Sequence, residues 1–284
     1  MAKDAQIPLS YCGDQVRQFD HDRYLTCLFA PSEVREDLFA LYAFNHEIAK
    51  VAEIVTEPMA GQIRIQWWRE GLDDLYAGAP RRHQVAAPLA SAVARHGLSR
   101  AYFDRLLDAR ERDLDDEPPE TLDDLAGYAA ETSATLVQLA LEILGAGDAV
   151  SREVGEDVGI AWALTGLARA VPFHARQRRM MLPGSLVWKH GLDPHDVFEL
   201  RAPTEAKPVV EAVAQQAWHH LNRARRRRHE VPKAAIPALL PATLARRYLR
   251  VLAKAEHDPF DGRVQRVQPN RPLRLAWAAA RGTF

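Results

Sequence analysis

Apolar residues recur at intervals of three, four and seven along almost the whole chain and nowhere alternate as a strand would, so this sequence can fold only as packed helices. From Val34 the positions Leu38, Leu41, Ile48, Val51 and Val55 mark a long amphipathic helix, with Ser32 as its expected N-cap and Pro58 as its stop. Ile65, Trp68, Leu72 and Leu75 carry a second helix to Gly78 and Pro80, and Val85, Leu89 and Val93 a third to Gly97. Tyr102, Leu106 and Leu107 lead into the acidic Asp113, Asp115, Asp116 and Glu117 and the Pro118-Pro119 break, after which Thr121 and Asp124 predict a capping box. The next helix runs through Leu125, Tyr128, Leu136, Leu139 and Ile143, and another spans about 150–170 until Pro172 ends or kinks it. Short helical pieces are expected over 183–202, a long helix over 204–230 and a last one over 240–255. The Arg- and Pro-rich tail, 258–284, reads as an irregular strap with a short helix near Leu275.

With 284 residues, 47% of them hydrophobic, the chain can bury a large core, and it reads as a single all-α domain over 1–284. A formal net charge of -1 gives no global field for nucleic acid, so any charged partner must be met locally. Cys12 and Cys27 lack metal-site or redox spacing and fit a reducing compartment. Residues 1–14 lack the apolar region of a signal peptide, so the chain reads as cytoplasmic and bacterial. No apolar run approaches the roughly 20 residues that span a bilayer, so contact with the inner membrane would be peripheral, from its cytoplasmic face.

The stretch LFALYAFNHEIAKVAE (38–53) resembles the segment that opens the active site of squalene and phytoene synthases, and VGIAWALTGLARAVPFHARQRRMMLP (158–183) is similar to that family's second aspartate-bearing helix and its basic loop. QWWREGLDDLY (66–76) and LDARERDLDDEP (107–118), with Tyr128 downstream, resemble the blocks between them. The resemblance is clearest over about 10–200 and implies an isoprenoid-synthase-type helical bundle around a central cavity. It also implies an Asp-Asp-x-x-Asp motif at Ala49, Lys50 and Glu53 and an Asp-x-x-x-Asp motif at Ala170 and His174. In the family those carboxylates hold the Mg²⁺ ions that grip a diphosphate, and hard oxygen ligands suit that metal. Here only Glu53 could still ligate, so no catalytic residue, metal or cofactor is expected. The departing pattern is similar to a branch of complex I assembly factors, which implies a non-catalytic role in maturing NADH:quinone oxidoreductase, with a complex I subunit or assembly intermediate as partner. One alternative is an active prenyl or farnesyl diphosphate transferase of isoprenoid biosynthesis, its Mg²⁺ ligands moved to Glu47, Glu53 and their neighbours. Another is an isoprenoid or phospholipid binder.

Two side-chain groups carry these alternatives. His46, Glu47, Lys50 and Glu53 could present polar groups to a cavity, or Lys50 and Glu53 could simply pair one helical turn apart beside a hydrogen-bonded His46. Arg169, His174, Arg176, Arg178 and Arg179 could hold a phosphate or lipid headgroup, or merely complement a helix C-terminus. Of the adjacent Trp67 and Trp68, one is expected in the core. The basic run 223–228 reads as a solvated helix face or as a contact for anionic lipid or an acidic surface, and the acidic residues at 113–117 as a solvated helix end.

Overall fold

The computed structural model describes residues 9–115 and 117–284, so the reading of the first eight residues and of Asp116 falls outside the described part. Among the described residues every regular element is helical. Helices α1 (Tyr11–Phe19) and α2 (His21–Cys27) lead into the long α3 (Ser32–Ala49) and a one-turn continuation, α4 (Val51–Ile54). Then come α5 (Pro58–Tyr76), α6 (Ala86–His96), α7 (Arg100–Arg112) and α8 (Leu122–Ala129). A π-helical turn (Ala130–Ala134) joins α8 to α9 (Thr135–Ile143), followed by α10 (Ala149–Arg169) and α11 (Val171–Arg176). The C-terminal half holds α12 (Gly184–Lys189), α13 (Pro194–Phe198), α14 (Ala206–Arg226), α15 (Ile236–Leu239), α16 (Pro241–Lys254), α17 (Gly262–Gln265) and α18 (Arg271–Ala280).

Local chemistry sets the ends of these helices. Thr121 and Asp124 form the expected capping box, each side chain accepting from the other's main-chain N–H at 3.1 and 2.9 Å. Gly97 closes α6 with φ +63°, a conformation that costs glycine nothing. Ser32 is not a cap: Pro31 takes that position, and the Ser32 hydroxyl turns to Glu33 at 3.1 Å. Pro58 opens α5 as well as ending what precedes it, because its missing N–H is one the first turn does not need.

Helix α10 is the central element, lying along α14 on one side and against α9 and the π-helical turn on the other, while α3 packs on α1, α6 and α9. Two of its glycines make this possible. A Cβ on Gly159 would sit 2.2 Å from the Ala134 Cα, and one on Gly155 would sit 2.8 Å from a Leu141 methyl. The α10–α14 seam is tied by the buried pair Asp157 and His220, whose Nδ1 lies 2.7 Å from one Asp157 oxygen, while the exposed Arg223 brings its Nε to 3.3 Å from the other. One contiguous hydrophobic core reaches from Cys12 to Phe284. Trp68 belongs to it, and Trp67 stays partly exposed with the Arg81 guanidinium 5.1 Å over its ring.

The tail is more regular than a strap. The expected short helix is α18, whose Leu275 and Ala278 pack into the core, and the single turn of α17 precedes it. The basic run is also less free than its charge suggests. Arg223 meets Asp157, Arg225 donates to the Phe284 carbonyl, Arg227 meets Glu153 and Glu230, and Arg228 donates to the Arg225 carbonyl.

Candidate functional site

The two motif segments end α3 and α10. At the first, α3 stops at Ala49, and Lys50 caps it before the chain restarts as α4. That break decides the pairing: the Lys50 Nζ lies 2.7 Å from the Glu47 Oε1, one turn back, whereas Glu53 is exposed on the following turn. The expected Lys50–Glu53 pair is thus replaced by Lys50–Glu47. His46 stacks flat on Phe19 of α1, ring centroids 4.4 Å apart, and burial together with the Lys50 charge lowers its pKa below the usual histidine value.

At the second, Pro172 sits in the first turn of α11 and turns the chain out of the α10 axis, so the five cationic positions are dispersed. The Arg169 guanidinium lies 3.8 Å over the Tyr248 ring of α16. The Tyr248 hydroxyl donates to Asp22 of α2 at 2.6 Å, and Arg271 of α18 pairs with the other Asp22 oxygen. One carboxylate therefore pairs with Arg271 and, through Tyr248, fixes the ring on which Arg169 lies. Burial lowers the Arg169 pKa, Tyr248 and Asp22 oppose that, and Arg271 adds to it. Arg178, at φ +54°, reaches Glu199 at 3.5 Å, and Arg176 is exposed.

Arg179 and His174 enter a third group. The Arg179 Nη2 donates to the Asp113 carbonyl at 2.8 Å. The Asp113 side chain is not the solvated helix end the sequence suggested: it accepts from the Arg110 Nη1 at 2.9 Å and the Tyr128 hydroxyl at 3.1 Å. Burial works against the Arg110 charge, but Tyr128, Asp113 and Glu53 outweigh it and raise its pKa. Next to this group burial, reinforced by Arg179, lowers the His174 pKa to about 4, and its Nδ1 is buried without a hydrogen-bond partner. His174 is neutral at pH 7, so it adds no cation to an anion site. Of the five, Arg169 is a desolvated guanidinium with no carboxylate in salt-bridge reach among the described residues, the kind of group an anion would neutralise. Its partners Asp22, Tyr248 and Arg271 escaped the sequence reading, because 226 and 249 residues separate Asp22 from the other two.

The motif positions do not suit Mg²⁺. Ala49 and Ala170 offer no side-chain donor, Lys50 is a cation, His174 offers nitrogen, and Glu53 stands alone, whereas that ion takes an octahedron of hard oxygens. Among the described residues no three His, Cys, Asp or Glu side chains come close enough to hold any metal.

The helical arrangement defines the class of fold. It superposes on a solved dehydrosqualene synthase with a TM-score of 0.82, over 95% of this chain and 94% of that one, at 20% identity, a likeness of fold. The sequence model of squalene/phytoene synthase matches residues 16–272, and the chain belongs to that family. The match runs well past residue 200 and takes in Tyr248 and Arg271. Among curated relatives, the Bos taurus protein named NADH dehydrogenase (ubiquinone) complex I, assembly factor 6, is 34% identical over 265 residues, 93% of this chain and 80% of that protein. Its Homo sapiens counterpart is 32% identical over 274 residues, 96% of this chain and 82% of that one.

Proposed function

We propose that this chain is a non-catalytic squalene/phytoene-synthase-like protein that assists assembly of respiratory complex I by binding a subunit or an assembly intermediate. The observation that carries the reading is the donor set at the two motif positions, Ala49, Lys50, Glu53, Ala170 and His174, which offers a diphosphate-bound Mg²⁺ one carboxylate. The relatives named for complex I assembly, similar along nearly the whole chain, point the same way. The work is expected at the cytoplasmic face of the inner membrane, approached from outside, since no helix among the described residues is long and apolar enough to cross a membrane.

Deleting the gene tests this. Assembled complex I in native gels is expected to fall while squalene and carotenoid levels stay unchanged, and the intact gene should restore it. Normal complex I in the deletion strain overturns the reading. An enzyme with ligands moved to Glu47 and Glu53 is the rival. It meets the obstacle that Glu47 already neutralises Lys50. Mg²⁺-dependent diphosphate release from farnesyl or geranylgeranyl diphosphate, abolished in Glu47→Ala/Glu53→Ala, would establish the rival instead. A ligand-binding role in place of catalysis draws on Arg169, which stacks on Tyr248 while Arg271 takes the nearby carboxylate of Asp22. An isoprenoid or phospholipid retained in native mass spectra, and lost in Arg169→Gln, would support it.

A further inference from the structure

Helix α18 turns an apolar stripe away from the core. Leu275 and Ala278 face inward, but Leu273, Ala276, Trp277 and Ala280, spaced as i, i+3, i+4 and i+7, are exposed, Leu273 to 74% and Trp277 to 64%. Beside the stripe opens a cavity of about 440 Å³ whose walls include Arg225, Arg246, Arg247, Arg250 and Arg274 together with Leu273 and Trp277. No Asp or Glu lines it. The sequence places none between Glu230 and Glu256 and none after Asp261. Arg225 donates to the main-chain oxygen of Phe284 and Arg247 to the Gln268 Oε1, so neither meets an Asp or Glu side chain. Arg246, Arg250 and Arg274 meet no carboxylate among the described residues. Burial first, and neighbouring arginines second, lower the pKa of Arg225 and of Arg246.

We propose that this face docks on an anionic phospholipid bilayer, with the arginines of the cavity taking lipid phosphates while Leu273 and Trp277 enter the interface. Arginine forks match phosphate oxygens. A tryptophan places an apolar body and a polar N–H where headgroups meet acyl chains. A soluble phosphate would satisfy the arginines and leave the stripe in water, whereas a bilayer serves both. A single amphipathic helix of this length binds weakly on apolar area alone, so the cationic cavity supplies the second attachment.

Vesicle flotation of the full chain tests the proposal without complex I, so it stands or falls separately from the assembly role. Binding is expected to vesicles of phosphatidylcholine with phosphatidylglycerol, to be absent with phosphatidylcholine alone, and to weaken with salt. Arg246→Gln/Arg250→Gln should reduce partitioning on the order of tenfold or more. Arg64→Gln/Arg82→Gln, the same charge change at exposed sites elsewhere, should leave it unaltered. Trp277→Ser, on an exposed side chain that folding does not need, should also weaken binding. Equal losses in the two double variants, binding to neutral and anionic vesicles alike, or no flotation would overturn the proposal. So would capture of glycerol phosphate or poly-glutamate by a protein that ignores vesicles.

Discussion

Asp113 is held by two donors, the Arg110 guanidinium and the Tyr128 hydroxyl, with only 9% of its side chain exposed. Removing it strands a buried cation, which costs far more than the hydrogen bonds themselves. Asp113→Ala is expected to lose about 3–5 kcal/mol of stability. Tyr128→Phe, which keeps the ion pair, should lose roughly 1–3 kcal/mol. Urea unfolding measures both, and a similar small loss in the two variants would mean that water reaches Arg110. His174, beside the same group, gives a pH dependence. Its pKa is about 4 in the folded chain and near 6.5 when unfolded, so between those values the unfolded state binds more protons. Stability therefore rises as pH climbs from about 4 to 6.5 and falls as pH is lowered through that window, by up to about 3 kcal/mol from this residue. His174→Asn should flatten the slope of unfolding free energy against pH there. An unchanged slope would mean that the imidazole is hydrated.

Among elements, α10 crosses the π-helical turn closely. At Gly159 a methyl group would strike the main chain of Ala134, which cannot yield as a side chain can. Gly159→Ala is expected to cost on the order of 1–3 kcal/mol or more through overpacking. Gly166, on the same helix with nothing within 4 Å of its missing Cβ, should accept Ala with a gain of roughly 0.4–1 kcal/mol. Thermal unfolding of the two variants should therefore shift in opposite directions, and a shared direction would contradict this crossing. Neither glycine could be told apart in the sequence, since both interrupt the same helical pattern. Most of the longer helices were legible, because their apolar residues recur at helical spacing even where, as in α3 and α9, the helix is buried nearly all round, and Thr121, Gly97 and Pro172 punctuate where their chemistry requires. The π-helical turn was not: its five residues carry the same apolar spacing as the helices it joins. The motif positions could be numbered from resemblance, but the Lys50 partner could not, because it depends on α3 ending at Ala49. Nor could the dispersal of Arg169, His174 and Arg178, which follows from the turn at Pro172.

Across the whole molecule the charges are nearly balanced in number and segregated in space. The formal charge of -1 conceals a C-terminal stretch after Asp261 that holds five arginines and no acid. A basic tail of this kind repels itself, and besides its apolar contacts it meets a carboxylate contributed from near the other end of the chain. Asp22 of α2 accepts from Tyr248 of α16 and pairs with Arg271 of α18, with Arg169 of α10 stacked on the far partner's ring. Four helices thus meet at one negative charge. Replacing it with a neutral amide preserves shape and deletes the counter-charge of two guanidiniums, so Asp22→Asn should be felt first where the cations are least otherwise restrained, in α17 and α18. Main-chain amides of 262–284 are expected to exchange with deuterium at least tenfold faster, corresponding to about 1.4 kcal/mol of lost local protection, while those of the α10–α14 seam, tied separately by Asp157 and His220, keep theirs. Uniform acceleration throughout the chain would show that Asp22 serves global stability rather than docking of the tail. No acceleration in 262–284 would show that the apolar contacts of Leu275 and Ala278 suffice without it.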